Sequence, residues 1–156
     1  MSADDALQRC LALAREALDA GDDPFGSVLV DAAGNIVAEA RNRERTNADP
    51  TAHPELELAR WAWRHLSVEQ RAAATVYTSG EHCPMCSAAH GWVGLGPIVF
   101  AASSAQLTEW RSSWGLPDSP VAPLGASVVL PGTTVTGPVP PYDALMRPLH
   151  EEAARR

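Results

Sequence analysis

An apolar stripe at helical spacing is the first regular pattern in the chain. Its members recur every three or four residues and are Leu7, Cys10, Leu11, Ala14, Ala17 and Leu18. This spacing predicts an amphipathic helix, and Gly21 supplies a stop signal after it. Because Cys10 lies on the stripe, we interpret it as a core thiol.

The remaining pattern alternates between strand and helix periods. Two short apolar runs around Gly34 and Asn35 predict a β-hairpin. The predicted strands are Ser27–Val30, Ile36–Ala40, Thr75–Ser79, Ile98–Ala102 and Ser127–Leu130. The predicted later helices run from about Ala52 to Leu66, from about Pro84, and from Tyr142 to Ala154. This order predicts an α/β fold in which helices flank a mixed five-stranded sheet.

Length and composition indicate one soluble domain. The chain has 156 residues, close to the size of a single domain. We therefore expect residues 1–156 to form one domain, with a Pro-rich segment from about residue 115. No apolar run approaches a membrane span, and the first residues are acidic rather than signal-like, so we expect no membrane association and a cytoplasmic location.

The charge balance indicates which classes of partner the protein can bind. The formal net charge is -7, and all 12 basic residues are Arg. Long phosphate backbones are bound by rows of basic side chains, so we expect no nucleic-acid partner. The alternating trio Arg41, Arg43 and Arg45 is either a solvated edge or a phosphate clamp, and the solvated edge is the ordinary interpretation.

Three candidate metal ligands lie at predicted helix starts. His53 opens the second helix, and Cys83 and Cys86 open the third directly after a strand. Two cysteines and one histidine form a known catalytic zinc set that leaves a fourth position for water. Helix N-termini favour thiolates, and Zn²⁺ can activate water near neutral pH.

Glu55 is the candidate proton carrier. It follows His53 by two residues and falls on the inward side of the helix. Burial should raise the pKa of this carboxyl, as a proton shuttle beside a metal requires. The alternative is an ordinary first-turn residue favoured by the helix dipole.

Three other interpretations of the Cys/His pattern stay open. His90 lies one turn after Cys86 and would complete a closed structural zinc site. The Cys83–Cys86 pair could instead be a redox dithiol. The chain could also be a zinc-stabilised binding module without catalysis.

The residues also resemble a known family. His53-Pro54-Glu55 followed by Cys83-Pro84-Met85-Cys86 is similar to the signature of the zinc-dependent cytidine deaminase superfamily, especially bacterial guanine deaminases and yeast-type cytosine deaminases. Further matching stretches are Asp23–Val30, Asn42, Asp49–Glu55 and Ser79–Cys86. The resemblance covers about Pro24 to Phe100.

This resemblance implies a fold, a cofactor and residue roles. It implies a three-layer α/β/α sandwich, a homodimer and a Zn²⁺ cofactor held by His53, Cys83 and Cys86. It also implies that Glu55 is the general acid/base that transfers protons. The implied substrate-binding residues are Phe25, Asn42, Pro54 and Trp92, with core packing as the alternative for Trp92.

The resemblance bears on substrate as well. It implies hydrolytic deamination of a free nucleobase or similar amino-heterocycle, with a tRNA adenosine deaminase as the alternative. Trp114 stands where similar guanine deaminases carry an acidic residue. We therefore place Trp114 among the substrate-selecting residues and do not expect guanine to be the best substrate.

Overall fold

A five-stranded mixed sheet forms the centre of the fold, and the computed structural model describes all of residues 1–156. The strands are β1 (Gly26–Val30), β2 (Ile36–Arg41), β3 (Thr75–Gly80), β4 (Ile98–Ala102) and β5 (Val135–Thr136). They lie in the order β2-β1-β3-β4-β5. β1 pairs antiparallel with β2 and β3, while β4 runs parallel to β3 and β5. The predicted hairpin is therefore confirmed.

Seven helices surround the sheet. They are α1 (Ala3–Asp19), α2 (Pro54–His65), α3 (Val68–Ala73), α4 (Pro84–Trp92), α5 (Ser104–Ser113), α6 (Ala126–Val129) and α7 (Tyr142–Ala154). α2 and α4 each begin with proline, which tolerates the first helical turn because its missing N–H would have no helical partner there. No helix is both long enough and apolar enough for a bilayer crossing.

The helices form two layers on opposite faces of the sheet. α1 and α7 contact each other and pack against β3 from one side, while α2 and α4 contact each other, with α2 packed on β1 and β2. Alternation along β1 serves both layers: Leu29 joins the core cluster containing Leu58, and Val28 joins the cluster containing Cys10. The three-layer α/β/α sandwich is thus confirmed.

The C-terminal half contains the main corrections. The predicted strand Ser127–Leu130 is wrong, since Ala126–Val129 form α6 and the fifth strand is Val135–Thr136. Helices α3 and α5 were not expected from apolar periodicity. Each begins with a capping box, formed by Ser67 with Gln70 and by Ser103 with Gln106. The terminal helix has the predicted bounds.

One edge of the sandwich gathers the chain segments that carry the candidate chemistry. β3 ends at Gly80, three residues before the N-cap of α4, and β1 begins beside it. Ser27 on β1 lies opposite Thr78 on β3. The start of α2 reaches this edge too, because Glu55 in its first turn contacts both of these strand residues.

Candidate active site

The three predicted metal ligands meet at the starts of α2 and α4. His53 is the N-cap residue of α2 and Cys83 that of α4. The His53 Nδ1 atom lies 3.5 Å from Cys83 Sγ and 3.6 Å from Cys86 Sγ, and all three donor atoms lie within 4.8 Å of one another. Tetrahedral zinc with ordinary Zn–N and Zn–S bonds places such atoms about 3.5 Å apart. The donor set therefore fits a zinc ion.

The pKa values of the three ligand side chains are strongly shifted. A hydrogen bond with Cys86 is the main cause that lowers the pKa of Cys83 to about 4, and that of Cys86 is raised. The hydrogen bond with Cys83, and then one with Glu44, raises the pKa of His53 to about 10. A cluster of this kind releases protons when it binds a cation, as thiolate metal sites do.

Glu55 lies buried beside this cluster. Its Oε1 atom is 3.0 Å from Thr78 Oγ1 and 3.2 Å from Ser27 Oγ. Thr78 Oγ1 also lies 2.9 Å from the Gly80 carbonyl oxygen and 2.8 Å from Ser27 Oγ. The Thr78 hydroxyl has one hydrogen, and the carbonyl can only accept one. The Thr78 hydrogen can therefore go to Gly80 or to Glu55, and a hydrogen bond from Thr78 to Glu55 lowers the pKa of that carboxyl.

The burial of Glu55 outweighs this hydrogen bond and favours the protonated form of the carboxyl. Burial is the largest cause that raises the pKa of Glu55. A buried carboxyl that holds a proton at a cluster of metal ligands is suited to proton transfer.

A second carboxylate, Glu44, contacts the ligand histidine and was not expected from the sequence. Its Oε1 atom lies 3.5 Å from His53 Nε2. Burial opposes its ionisation, but hydrogen bonds with His53 and Asn42 outweigh burial and lower the pKa of Glu44. A carboxylate on the outer nitrogen of a metal-binding histidine orients the ring and increases its basicity. Glu44 is separated from His53 by nine residues, so local spacing carries no signal for this contact.

Asn42, predicted to bind substrate, makes both of its side-chain hydrogen bonds with Glu44. Its Nδ2 donates to Glu44 Oε2 at 2.8 Å, and its Oδ1 accepts from the Glu44 amide at 3.0 Å. Asn42 is also buried and donates its backbone N–H to the Phe25 carbonyl. A direct contact of Asn42 with substrate stays a prediction. Pro54 is buried in the first turn of α2, next to His53.

The loop between β2 and α2 is anchored by Asp22. This carboxylate is completely buried and accepts from the Arg45 and Thr46 amides at 2.9 and 2.8 Å. It also accepts from the Thr46 hydroxyl and from Arg41 Nη1, the latter at 3.1 Å. These bonds fix the path of the segment that carries Asn42, Glu44 and His53.

Phe25 lines a cavity of about 350 Å³. One edge of its ring lies over Gly80, where a Cβ atom would come within 3.0 Å of Phe25 Cε1. On the other side the ring meets His150 edge-on, with 5.1 Å between centroids. The cavity is also lined by Asp23, Arg45, Arg111 and Arg156. Phe25 thus lines a cavity, and its contact with substrate stays a prediction.

The two predicted tryptophans lie elsewhere. Trp92 is 86% exposed, so it is not packed in the core, and it borders a second cavity with Trp63 and Val93 rather than the cavity beside Phe25. Trp114 is the C-cap residue of α5, and the Arg147 guanidinium lies over its indole ring, 5.5 Å from the centroid of that ring. The structure does not bring either residue to the ligand cluster.

His90 is not part of the ligand cluster. Its Nε2 lies 2.7 Å from the Gly96 carbonyl oxygen, and the metal-ligand group contains only His53, Cys83 and Cys86. The closed four-ligand site is therefore not assembled in this fold.

Glu81, two residues before Cys83, joins the ligand loop to the C-terminal segment. Its Oε1 accepts from the Ser104 amide at 2.9 Å and its Oε2 from the Ala126 amide at 2.7 Å. These amides lie at the starts of α5 and α6.

Comparison with known proteins agrees with this site. The family model for the cytidine and deoxycytidylate deaminase zinc-binding region matches residues 1–102, well over half of the chain. The chain belongs to this family. Zinc is the metal for which the family region is described, and His53, Cys83 and Cys86 are the group that could hold it.

Individual relatives show the same kinship. Guanine deaminase of Bacillus subtilis (strain 168) is 39% identical over 104 residues, which cover 66% of this chain and 66% of that protein. The tRNA-specific adenosine deaminase of Haemophilus influenzae is 36% identical over 97 residues, covering 62% of this chain and 56% of that protein. The aligned parts thus span less than two thirds of either relative.

A solved structure extends the likeness of the fold. Guanine deaminase from Nitrosomonas europaea superposes with a TM-score of 0.76 at 22% sequence identity. The superposition covers 97% of this chain and 84% of that one. The shared fold therefore includes the C-terminal segment beyond the family match.

Proposed function

We propose that this chain is a zinc-dependent aminohydrolase that converts the amino group of a nucleobase or similar heterocycle into a carbonyl and releases ammonia. The observation that carries the proposal is the buried carboxyl of Glu55 beside three metal ligands that leave one position open. A closed structural site would need a fourth protein ligand and would have no use for a buried acid.

The proposed roles follow from the site geometry. His53, Cys83 and Cys86 hold Zn²⁺, which supplies a Lewis acid that makes water nucleophilic near neutral pH. Glu55 takes the two protons of the attacking water one after the other: it passes the first to the ring nitrogen, and the second to the departing amine as the carbonyl forms. The balance is one water consumed and one ammonia released. Glu44 acts as a positioning residue because it bonds the outer nitrogen of His53.

The substrate contacts form the next part of the proposal. Phe25 supplies an aromatic wall of the cavity, against which a flat heterocycle can stack. Asn42 and Pro54 border the cluster from the loop and the first turn of α2. Trp114 selects substrate through its position at the end of α5, which packs on α7.

The proposal also covers assembly, location and partners. Residues 1–156 act as one domain, because α7 packs against α1, β3 and β4. Homodimer formation is supported by the exposed side chains of Trp63 and Trp92 on one surface. The three free cysteines suit the reducing cytoplasm. The net charge of -7 disfavours nucleic acid as a partner.

The decisive experiment compares two glutamates of the same helix. Glu55→Gln keeps the shape of the side chain but removes its proton, whereas Glu57→Gln changes an exposed carboxylate one residue beyond Leu56. Both variants should retain one zinc per chain by metal analysis. Ammonia release from a panel of amino-purines, amino-pyrimidines and amino-triazines should fall about 10²- to 10⁴-fold in Glu55→Gln only.

Two outcomes would reject the proposal. Near-normal turnover by Glu55→Gln would remove the assigned role of this residue. A zinc-loaded wild-type protein that releases no ammonia from any compound would instead support a binding module.

A tRNA adenosine deaminase is the second candidate, favoured by the relative from Haemophilus influenzae. The same assay with an adenosine-containing anticodon stem-loop tests it. Faster turnover of that RNA than of every small molecule would establish this second function.

A further inference from the structure

Two neighbouring strand residues beside the first turn of α2 carry hydroxyl groups in rows that are otherwise apolar. Leu29 of β1 and Val76 of β3 lie opposite each other, and both belong to the core cluster that includes residues of α2. Side chains two residues apart on a strand point to the same face of the sheet. The next pair in these rows is Ser27 opposite Thr78, and both residues are completely buried. Buried hydroxyls cost free energy unless they find hydrogen-bonding partners.

The partner that the two hydroxyls share is the Glu55 carboxyl. Glu55 Oε1 lies 3.0 Å from Thr78 Oγ1 and 3.2 Å from Ser27 Oγ, and the two hydroxyl oxygens are 2.8 Å apart. Ser27 Oγ has no further hydrogen-bonding partner in the chain, and Thr78 Oγ1 has one, the Gly80 carbonyl oxygen. The Ser27 hydroxyl therefore supports no backbone group, and its contacts serve only Glu55 and Thr78.

Both hydroxyls contact the same oxygen of the carboxyl. The last torsion angle of a glutamate side chain is broad, so a carboxyl without partners can turn and exchange its two oxygens. Hydrogen bonds at Oε1 from two different strands restrict this rotation. The same side chain also forms a hydrogen bond with the metal ligand Cys86. Retention of Oε1 by the strands leaves Oε2 as the oxygen that can exchange protons beside the ligand cluster.

Hydroxyl donors suit a carboxyl that gains and loses a proton. In the proposed reaction Glu55 is ionised in some steps and protonated in others. Oε1 accepts hydrogen bonds when the carboxyl is ionised, and it still accepts them when the proton lies on Oε2. A proton on Oε1 would instead compete with the hydrogens of Ser27 and Thr78. The two hydroxyls therefore favour Oε2 as the protonated oxygen.

We propose that Ser27 and Thr78 are positioning residues for the general acid/base. They hold Glu55 Oε1, so that Oε2 is the atom that receives each proton from water and passes it to the substrate. The inference rests on the proposed deaminase function. Both residues are completely buried, and they act through Glu55 without contact with the substrate.

The first test separates kcat from KM in the zinc-loaded protein. Ser27→Ala and Thr78→Val each remove one hydroxyl and change the side-chain shape little. Each variant should reduce kcat about 10- to 100-fold on the best compound of the amino-heterocycle panel, because a hydrogen bond to a charged group is lost. KM and the zinc content should stay close to those of the wild type. Thr78→Ser keeps the hydroxyl and should retain most of the activity.

Thr75→Val is the matched control. It makes the same exchange on the same strand, but Thr75 forms no hydrogen bond with Glu55, whose strand partners are Ser27 and Thr78. This control should keep the kcat of the wild type. Normal kcat in both Ser27→Ala and Thr78→Val would overturn the inference and leave the deaminase intact. A loss of the same size in Thr75→Val would overturn it as well.

Crystal structures of the zinc-loaded protein separate this inference from the proposed function, because they require no turnover. The wild type and Thr78→Ser should show one position of the Glu55 carboxyl. The double variant Ser27→Ala/Thr78→Val should show the carboxyl displaced or in several positions, and Ser27→Ala alone gives the comparison if the double variant does not fold. A displaced carboxyl in a protein that deaminates no compound would support the positioning role while the proposed function fails. An unmoved carboxyl would overturn the positioning role whether or not ammonia is released.

Discussion

Replacing Asp22 with asparagine should destabilise the protein strongly, although the two side chains have the same shape. Asp22 Oδ1 accepts from two backbone amides, and an amide oxygen can retain those bonds. Its Oδ2 faces Arg41 Nη1 and the Thr46 hydroxyl. In the asparagine variant an NH₂ group faces the guanidinium, so two donors oppose each other. The variant also removes the only carboxylate paired with Arg41.

The magnitude follows from the burial of this pair. The Asp22 side chain is 0% exposed and that of Arg41 is 16% exposed. Removing one partner of a buried ion pair costs about 3 to 5 kcal/mol. Arg41 keeps a hydrogen bond to the Asn42 carbonyl at 3.2 Å and some solvent contact. We therefore expect a loss near the lower end, about 3 kcal/mol, a large part of an ordinary domain stability.

The assay is urea unfolding at pH 7 with a fixed free zinc concentration. Asp22→Asn, Arg41→Met and the double variant form a thermodynamic cycle, in which the double variant should recover part of the loss. Glu151→Gln is the exposed control. Its partner Arg155 is 76% exposed, so it should change stability by about 0.5 kcal/mol or less. A loss below about 1 kcal/mol in Asp22→Asn, with an unchanged urea dependence, would refute the reasoning.

The pH dependence gives a second check on the same residue. Burial opposes ionisation of Asp22, but hydrogen bonds from Thr46, Arg41 and Arg45 outweigh it and lower its pKa. A carboxyl with a lowered folded-state pKa stabilises the fold above its unfolded value of 3.8 and loses this contribution as the pH falls through the folded value. Asp22→Asn should therefore flatten this acid limb of the stability profile.

Three further predictions concern other parts of the fold. Glu44→Gln should weaken zinc binding about 10- to 100-fold in a chelator competition, and unchanged affinity would show that Glu44 does not support His53. Burial lowers the pKa of His150 to about 4, whereas in the unfolded chain this pKa is 6.5. Between these two pH values the unfolded chain binds more protons than the folded chain, so the free energy of unfolding falls as the pH falls. When the pH falls from 7 to 4.5, the free energy of unfolding should decrease by about 2 to 3 kcal/mol less in His150→Phe than in the wild type. An equal decrease in urea unfolding would contradict this prediction. Gly26→Ala should cost about 1 to 3 kcal/mol in urea unfolding, because a Cβ atom would lie 2.5 Å from the Cys10 carbonyl oxygen, whereas Gly132→Ala meets no atom within 4 Å and should be neutral.

The elements predicted well are continuous apolar runs, such as β4, and helices with one apolar face, such as α7. β4 and α7 have the bounds expected from their apolar positions, and the hairpin and α2 differ by a few residues. The ligand cluster was also predictable, since each ligand lies at a helix start marked by proline. Short-range pattern and capping chemistry were sufficient for these parts.

The errors lie where distant contacts decide the structure. The apolar run Val128–Leu130 suits a short strand or a short helix equally well. The helix is favoured by Glu81, because its carboxylate accepts a hydrogen bond from the Ala126 amide at the start of α6. Helix α5 has little amphipathic character, but the capping pair Ser103 and Gln106 was a usable signal.

The same reason explains the residues missed at the site. The Glu44–His53 contact depends on the loop that Asp22 anchors, and the cavity arginines meet only after α5 and α7 have packed. No local spacing encodes either arrangement.

The hydrogen bonds of Glu81 also determine which parts of the sequence can change during evolution. Both of its bonds to the C-terminal segment end on backbone amides, at Ser104 and Ala126. Every residue except proline offers such an amide. The side chains at these two positions can therefore change over evolution without loss of the attachment beside Cys83. The family match ends at residue 102, before this segment begins. A lineage can thus change the segment that lines the cavity beside Phe25 while it inherits the metal-ligand loop unchanged.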